Sequence, residues 1–309
     1  MTLKWQKKTI SLPYWLGEIC LFRKSFKLQA TNIDFQNHSP DVDLPKPTQL
    51  DSQDDGHMLY SVPLPHDHKI LWRTKDYIHF VSQSFNRYLI DLNLSYEGYL
   101  NTFSSKTRST LRRKIRKFEK QSDGEIDWRT YSSPTEMNEF HKIARTISKE
   151  TYQEKLLNAG LPEDDAFCSD MTAKAAQGNV RGYLLYLNGE AISYLYTPID
   201  QGRFVYAFLG YLPQTSKHSP GTVLLFKVLE HLFECKEGTV FDFTEGQSDQ
   251  KKQFSTTSIY CGNLVCLKYS TGNHFWLWLN KLTNNFSQAL GNMLEAIGLK
   301  KAIKKFLRR

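Results

Sequence analysis

The stretch VRGYLLYLNGEAISYLYTPIDQGRFVYAFLGYLP, residues 180–213, constrains the fold of this chain more than any other. Three apolar, aromatic-rich runs are joined at Asn188-Gly189 and around Asp200-Gln201-Gly202. Asn-Gly suits a two-residue hairpin turn, because both central positions need positive φ and neither residue resists it. The segment reads as three antiparallel strands in a meander.

Helical and strand signals flank it. Upstream, SSKTRSTLRRKIRKFEK opens a helix capped by Ser104 or Ser105, with Thr107, Leu111, Ile115 and Phe118 recurring at helical spacing on one face. GEIDWRTY (124–131) is strand-like. A helix then follows Ser133-Pro134, and another covers about 164–177. Downstream, SPGTVLLFKVLEHLFECKEG (219–238) is a helix with Ser219 at its cap, Pro220 at its first position and Gly238 just past its end. TVFDFTEG (239–246) and IYCGNLVCLKYS (259–270) are strands, and an amphipathic helical region runs to the end. Near the N-terminus, YWLGEICLF alternates as one strand. Residues 32–67 form an acidic, Pro-rich loop region with one short strand at HMLYSVPL, and strand alternation resumes over 77–92.

Charge is placed unevenly. Between Ser104 and Gln121 the net charge is +7, and the run KKAIKKFLRR (300–309) adds +6, although the whole chain carries only +8. A nucleic-acid binder spreads such charge over a face and interleaves aromatics for stacking, so nucleic acid is not the expected partner. The C-terminal run places Ile297, Ile303, Phe306 and Leu307 among its cations and suits either a capping helix with a solvated tail or peripheral contact with an anionic membrane. Five scattered cysteines without a CxxC pair imply thiols in a reducing compartment and no metal site. The N-terminal residues carry no apolar signal region, and no run reaches the length of a spanning helix, so the expected location is cytoplasmic or peripheral to the inner face of the membrane.

Taken in order, helix, strand, helix, meander, a helix opening on Ser-Pro-Gly and a strand ending Asp-x-x-x-Gly resemble the GNAT acyltransferases. The closest resemblance is to the CelD-like branch related to FemAB transferases. Three segments carry it: SSKTRSTLRRKIRKFEK, HSPGTVLL and DFTEGQSDQKKQF, across about 90–270. The phosphate-binding turn has one glycine, Gly221, where the family commonly has two. Gln250 stands where an aromatic often precedes the lysine, and the long helical hairpin of tRNA-using relatives is absent, which points away from a tRNA co-substrate.

The resemblance implies an α/β (α+β) fold with a central, mostly antiparallel sheet flanked by helices. It divides the chain into a small, degenerate or truncated GNAT-like N-terminal unit (1–92), the transferase domain (93–272) and a basic helical extension (273–309). It implies acetyl-CoA or another acyl-CoA as co-substrate and an amine or hydroxyl acceptor, with N-acetylation in envelope or polysaccharide biosynthesis the leading activity. Lys217, Ser219, Gly221 and Thr222 would hold the phosphates at a helix N-terminus, where free N–H groups and the dipole favour anions. The same Ser-Pro-Gly is also simply a good helix start. Glu245 or Asp242 would remove a proton from the acceptor, and Tyr206 or Tyr211, ahead of Tyr194 and Tyr196, would protonate the leaving sulfur, unless these tyrosines are core or wall residues. Those acids also suit a solvated strand end or a structural pair with Lys251. Arg108 and Arg112, one turn apart, with Lys251, would hold an anionic part of the substrate, or else belong to a solvated face. A non-catalytic GNAT-like scaffold and an anionic-membrane or nucleic-acid binder remain the alternatives.

Overall fold

The computed structural model describes residues 5–16, 19–33, 44–47, 49–151, 154–155, 159–246 and 248–296, with side chains up to 287 and at 289. The basic run 300–309 and residues 34–43 of the acidic stretch lie outside these.

In chain order come β1 (Gln6–Leu16), β2 (Ile19–Asn32), β3 (Gly56–Pro63), β4 (Leu71–Arg73), β5 (Tyr77–Asp91), α1 (Tyr96–Asn101), α2 (Ser105–Glu119), β6 (Trp128–Tyr131), α3 (Pro134–Glu150) and α4 (Asp165–Ala176). They are followed by β7 (Val180–Leu187), β8 (Glu190–Asp200), β9 (Arg203–Val205), β10 (Phe208–Tyr211), a 3-10 helix (Pro213–His218), α5 (Pro220–Cys235), β11 (Val240–Asp242), α6 (Asp249–Phe254), β12 (Thr257–Lys268) and α7 (Thr271–Ala296). These form two compact units, residues 1–86 with 260–309 and residues 87–259. The divisions expected after 92 and 272 lie slightly later in the chain than these boundaries, and the C-terminal residues cluster with the N-terminal ones.

In the smaller unit β1 and β2 pair antiparallel, β2 and β3 parallel, and β3 and β12 antiparallel. The run YWLGEICLF is not one strand. It divides between β1 and β2, with Leu16 opposite Ile19, because the apolar alternation continues through a reversal of the chain. HMLYSVPL does form a strand, β3.

The larger unit holds a sheet in the order β5–β11–β9–β8–β7–β6, with β10 also on β8. Every pair is antiparallel except β11–β9. Asn188 and Gly189 have φ of 53° and 78°, the positive-φ turn that this dipeptide favours, and Gln201 and Gly202 take the same form with 51° and 77°. Gly182 of β7 faces α3 so closely that a Cβ would lie 2.6 Å from Phe140 Cγ. Its neighbour Tyr183 lies beside Trp128, which meets His231 of α5 edge-on. Adjacent strand residues point to opposite faces, so α3 and α5 cover the two faces of the meander. The core is continuous through Phe140, Leu184, Leu195, Val228 and Phe241, all fully buried.

Helix α3 is fixed at its start by a reciprocal cap. The Ser133 hydroxyl accepts from the Glu136 N–H, and the Glu136 carboxylate accepts from the Ser133 N–H. Helix α2 is capped by Ser104, whose hydroxyl accepts from the Thr107 N–H, and it buries Leu111 and Phe118 against the core.

Candidate active site

The third meander strand is broken, and the break makes the site. β9 runs parallel to β11, Val205 opposite Asp242, and the Tyr206 N–H still donates to the Asp242 carbonyl at 2.8 Å. From Phe208 onward the chain pairs with β8 alone. β11 ends at the same level, and the Phe243 N–H turns to the Tyr88 carbonyl of β5 at 3.0 Å. The two chains therefore part at Tyr206 and Asp242 and leave a wedge. The Leu212 N–H bonds to Ile192 of β8. By two-residue alternation Leu209 and Tyr211 turn their N–H groups to the opposite edge of β10.

Asp242 is completely buried, and Arg87 of β5 grips it. Arg87 Nε donates to Oδ1 at 2.9 Å and to Oδ2 at 3.1 Å, and Nη2 lies 2.5 Å from Oδ2. The Thr244 N–H adds a further bond to Oδ1 at 2.8 Å. A carboxylate so engaged is a buried ion-pair partner, the structural reading of this acid, although with Arg87 and not Lys251. Glu245 is exposed on the loop that follows.

Lys251 sits on α6, whose cap Ser248 accepts from the Lys251 N–H at 3.1 Å. Its ammonium donates to the Glu245 carbonyl at 2.7 Å and lies 5.9 Å from the Tyr206 ring centroid. Burial pulls the lysine pKa down, against the carboxylates of Asp242 and Glu245, and Arg87 adds to the lowering. The Tyr206 ring packs near Phe241 and Phe243, at 6.2 and 5.4 Å between centroids. Burial raises its pKa.

The opening of α5 differs in detail from the sequence reading. Ser219 lies in the left-handed region at φ 54°, and its hydroxyl makes no cap bond to the helix. The left-handed turn, not the side chain, joins the 3-10 helix to α5. The room left by Gly221 is taken by the protein itself: a Cβ there would meet Leu209 Cδ2 at 3.0 Å and the Tyr211 ring at 3.4 Å. The glycine lets α5 lie close on β10. Lys217 is exposed, and its carbonyl accepts from Lys117 Nζ of α2 at 3.4 Å. His218 Nδ1 is buried with no hydrogen-bond partner among the described residues, and burial, then Lys217 and Lys117, lower its pKa.

Helix α2 links these features. At its start Thr107 accepts from Gln253 of α6 at 3.3 Å, and toward its end Lys117 reaches the 3-10 helix. Arg108, Arg112, Arg113, Arg116, Lys117 and Lys120 line a groove of 820 Å³. Arg108 donates to Asn101 Oδ1 at 2.6 Å. Among the described residues none of these six cations forms an ion pair. The structure thus gathers the candidate residues into three groups: Tyr206, Asp242, Glu245 and Lys251 at the wedge; Lys217 to Thr222 at the start of α5; and Arg108 with Arg112 on the groove.

The sequence reading missed Arg87, which lies in a strand 155 residues before its partner. The only hint was a cation in the apolar alternation of SFNRYLIDL. Among the described residues no group of three or more His, Cys, Asp or Glu side chains is placed to hold a metal ion.

A broken meander strand, a wedge at its break and a helix opening beside it define a GNAT-type acyltransferase fold. Residues 105–252 match the family described as the acetyltransferase (GNAT) domain. Solved structures that resemble the chain include L-PGS from Bacillus licheniformis, at 15% identity over 72% of this chain and 71% of that one, with a TM-score of 0.46. FemX matches at 10% identity over 89% and 90%, with a TM-score of 0.49. A GCN5-related N-acetyltransferase from Kribbella flavida matches at 13% identity over 63% and 61%, with a TM-score of 0.32. No curated protein matches the chain.

Proposed function

We propose that the chain transfers an acyl group, acetyl in the first instance, from acyl-coenzyme A to an amine or hydroxyl acceptor in envelope or polysaccharide assembly. The observation that carries this reading is the wedge at Tyr206: a phenol stands where two strands part, beside an open strand edge. Coenzyme A would supply the acyl group as a thioester, an activated carbonyl with a thiolate as leaving group.

The residues fit that demand. In the first turn of α5 Pro220 has no N–H and the Thr222 and Val223 N–H groups bond to the Ser219 carbonyl, which leaves that of Gly221 for an anion; Lys217 and Lys117 add positive charge, and the unpartnered His218 nitrogen lies beside them. Lys217, Ser219 and Thr222 would hold the phosphates, with Gly221 serving the packing of the helix. The Leu209 N–H, turned to the open edge of β10, is placed to donate to a developing oxyanion. Tyr206 gives its proton to the departing sulfur, and Glu245 receives the proton that the attacking acceptor loses. Lys251 and the Arg108–Arg112 pair bind the anionic part of the acceptor. Asp242, held by Arg87, anchors the strand ends on which these groups depend. The CelD-like motifs of the sequence support the same assignment.

Calorimetric titration with acetyl-coenzyme A tests the reading. Wild type should bind, and Lys217→Glu with Lys117→Glu, both exposed, should weaken binding at least about tenfold while the fold persists. Tyr206→Phe should bind normally yet release free coenzyme A about a hundredfold more slowly across a panel of amine and hydroxyl acceptors. A folded wild type that binds no acyl-coenzyme A of any chain length would overturn the proposal.

A further inference from the structure

The smaller unit carries an apolar surface that nothing among the described residues covers. Helix α7 lies on the β1–β2 hairpin. Asn280 Nδ2 donates to the Pro13 carbonyl at 2.7 Å, Ser287 Oγ to that of Trp15 at 2.8 Å, and the Tyr14 hydroxyl to that of Trp276 at 2.9 Å. Leu277 and Asn280 are buried on this inner side. Phe275, Trp278, Leu282 and Phe286 follow one another at spacings of three and four residues, which makes one stripe on a helix, and each is 48% to 55% exposed. The end of the hairpin adds Leu16, Ile19, Leu21 and Phe22, all exposed. Phe22 stacks on Tyr14 at 4.4 Å and meets Trp276 edge-on at 6.0 Å, so hairpin end and helix form one surface.

We propose that this face docks on an anionic lipid surface, with α7 lying in the headgroup plane and the hairpin end beside it. Amphipathic helices with Trp, Phe and Leu on one side and cations at the margin take that position, the rings sinking into the boundary between headgroups and acyl chains. The margin here is basic. Arg23 is exposed, and Lys24 lies 5.7 Å from the Trp276 ring centroid. Lys281 lies within the stripe in sequence, and the residues that follow α7 carry Lys300, Lys301, Lys304, Lys305, Arg308 and Arg309. From Lys268 to the last residue Glu295 is the only acid in the sequence. A second copy on this face would bring the same cations against one another, whereas a phosphate-bearing surface neutralises them while the rings are buried. The proposal stands apart from the transfer chemistry, which concerns the other unit.

Co-sedimentation of the full chain with vesicles rich in phosphatidylglycerol, beside vesicles of phosphatidylcholine alone, tests it. Wild type should pellet with the anionic vesicles at about 0.1 M salt and be released as salt rises. Its tryptophan emission should shift to the blue on binding. The variant Phe275→Asp with Trp278→Asp should bind at least about tenfold more weakly, since apolar burial supplies much of the affinity. Its melting temperature should match that of wild type, because both side chains point outward. Wild type that stays in the supernatant, or a variant that pellets equally well, overturns the proposal. So does a wild-type dimer that the variant converts to a monomer, because a second copy would then cover the face.

Discussion

Replacing Arg87 with Met would remove the guanidinium from Asp242 while nearly preserving volume. Asp242 has no exposure, and a buried carboxylate stripped of its counter-charge destabilises a fold by about 3–5 kcal/mol. The reverse change, Asp242→Asn, leaves a cation whose side chain is 12% exposed and whose stem lets the head reach toward water. Its cost should be smaller, about 1–3 kcal/mol for the broken charge-assisted bonds. The structure therefore predicts an asymmetry, with the arginine variant the weaker of the two. The double variant should be less destabilised than the sum of the singles, because the groups are in direct contact. Urea unfolding followed by tryptophan fluorescence measures all three, and release of coenzyme A from acetyl-coenzyme A measures turnover on the same samples. Arg87→Met as stable as wild type would refute the buried-anchor reading. So would Asp242→Asn that keeps full stability but loses turnover outright, which is the behaviour of a general base.

Two further expectations concern packing and pH. His57 and His79 are buried in the smaller unit, and burial lowers both pKa values to about 4. The folded state then binds fewer protons than the unfolded one between about pH 4 and 6.5, so stability falls as pH falls through that window, by about 2 kcal/mol per histidine from pH 7 to 5. Melting temperature against pH reads this directly, and a flat profile over that window would contradict it. Gly182→Ala should destabilise by about 1–3 kcal/mol, because its Cβ would press on the Phe140 ring. Phe140→Leu in that background should recover part of the loss, and no recovery would mean that the strain lies elsewhere.

Where an element is fixed by its own residues, it was legible in the sequence. Asn188, Gly189 and Gly202 turn with the positive φ that their residue types favour, whereas Gln201 takes it without such a preference, and Ser104 caps α2. The elements that were not legible depend on partners distant in the chain. AFLGYLP continues the apolar pattern of the meander, so nothing local shows that β9 ends at Val205 and the chain parts from β11 while staying on β8. Ser-Pro-Gly reads as a capped helix start, and the left-handed Ser219 becomes visible only once the 3-10 helix is placed before it. The Arg87–Asp242 pair joins two strands from opposite ends of the larger unit, and periodicity in one strand carries no information about the charge on another. Glycine was likewise ambiguous: room for a ligand and room for Leu209 call for the same residue at position 221.

The electrostatics of the larger unit bear on which molecules suit it. At the wedge the charges are largely balanced, with Asp242 held by Arg87 and the Lys251 ammonium bound to a carbonyl. On α2 they are not: six cations share one groove without an acid among the described residues to pair with them. Holding them so close on one helix costs repulsion, since like charges one turn apart destabilise a helix. Solvation of a simple exposed face would relieve most of that cost. A face bounded by α6 at one end and the α5 opening at the other also confines its field, and confined fields raise the local concentration of anions. Neutral reactants would gain nothing from such a field. Phosphate-bearing ones would be drawn to the groove, so the unbalanced charge of α2 favours anionic reactants whatever chemistry follows.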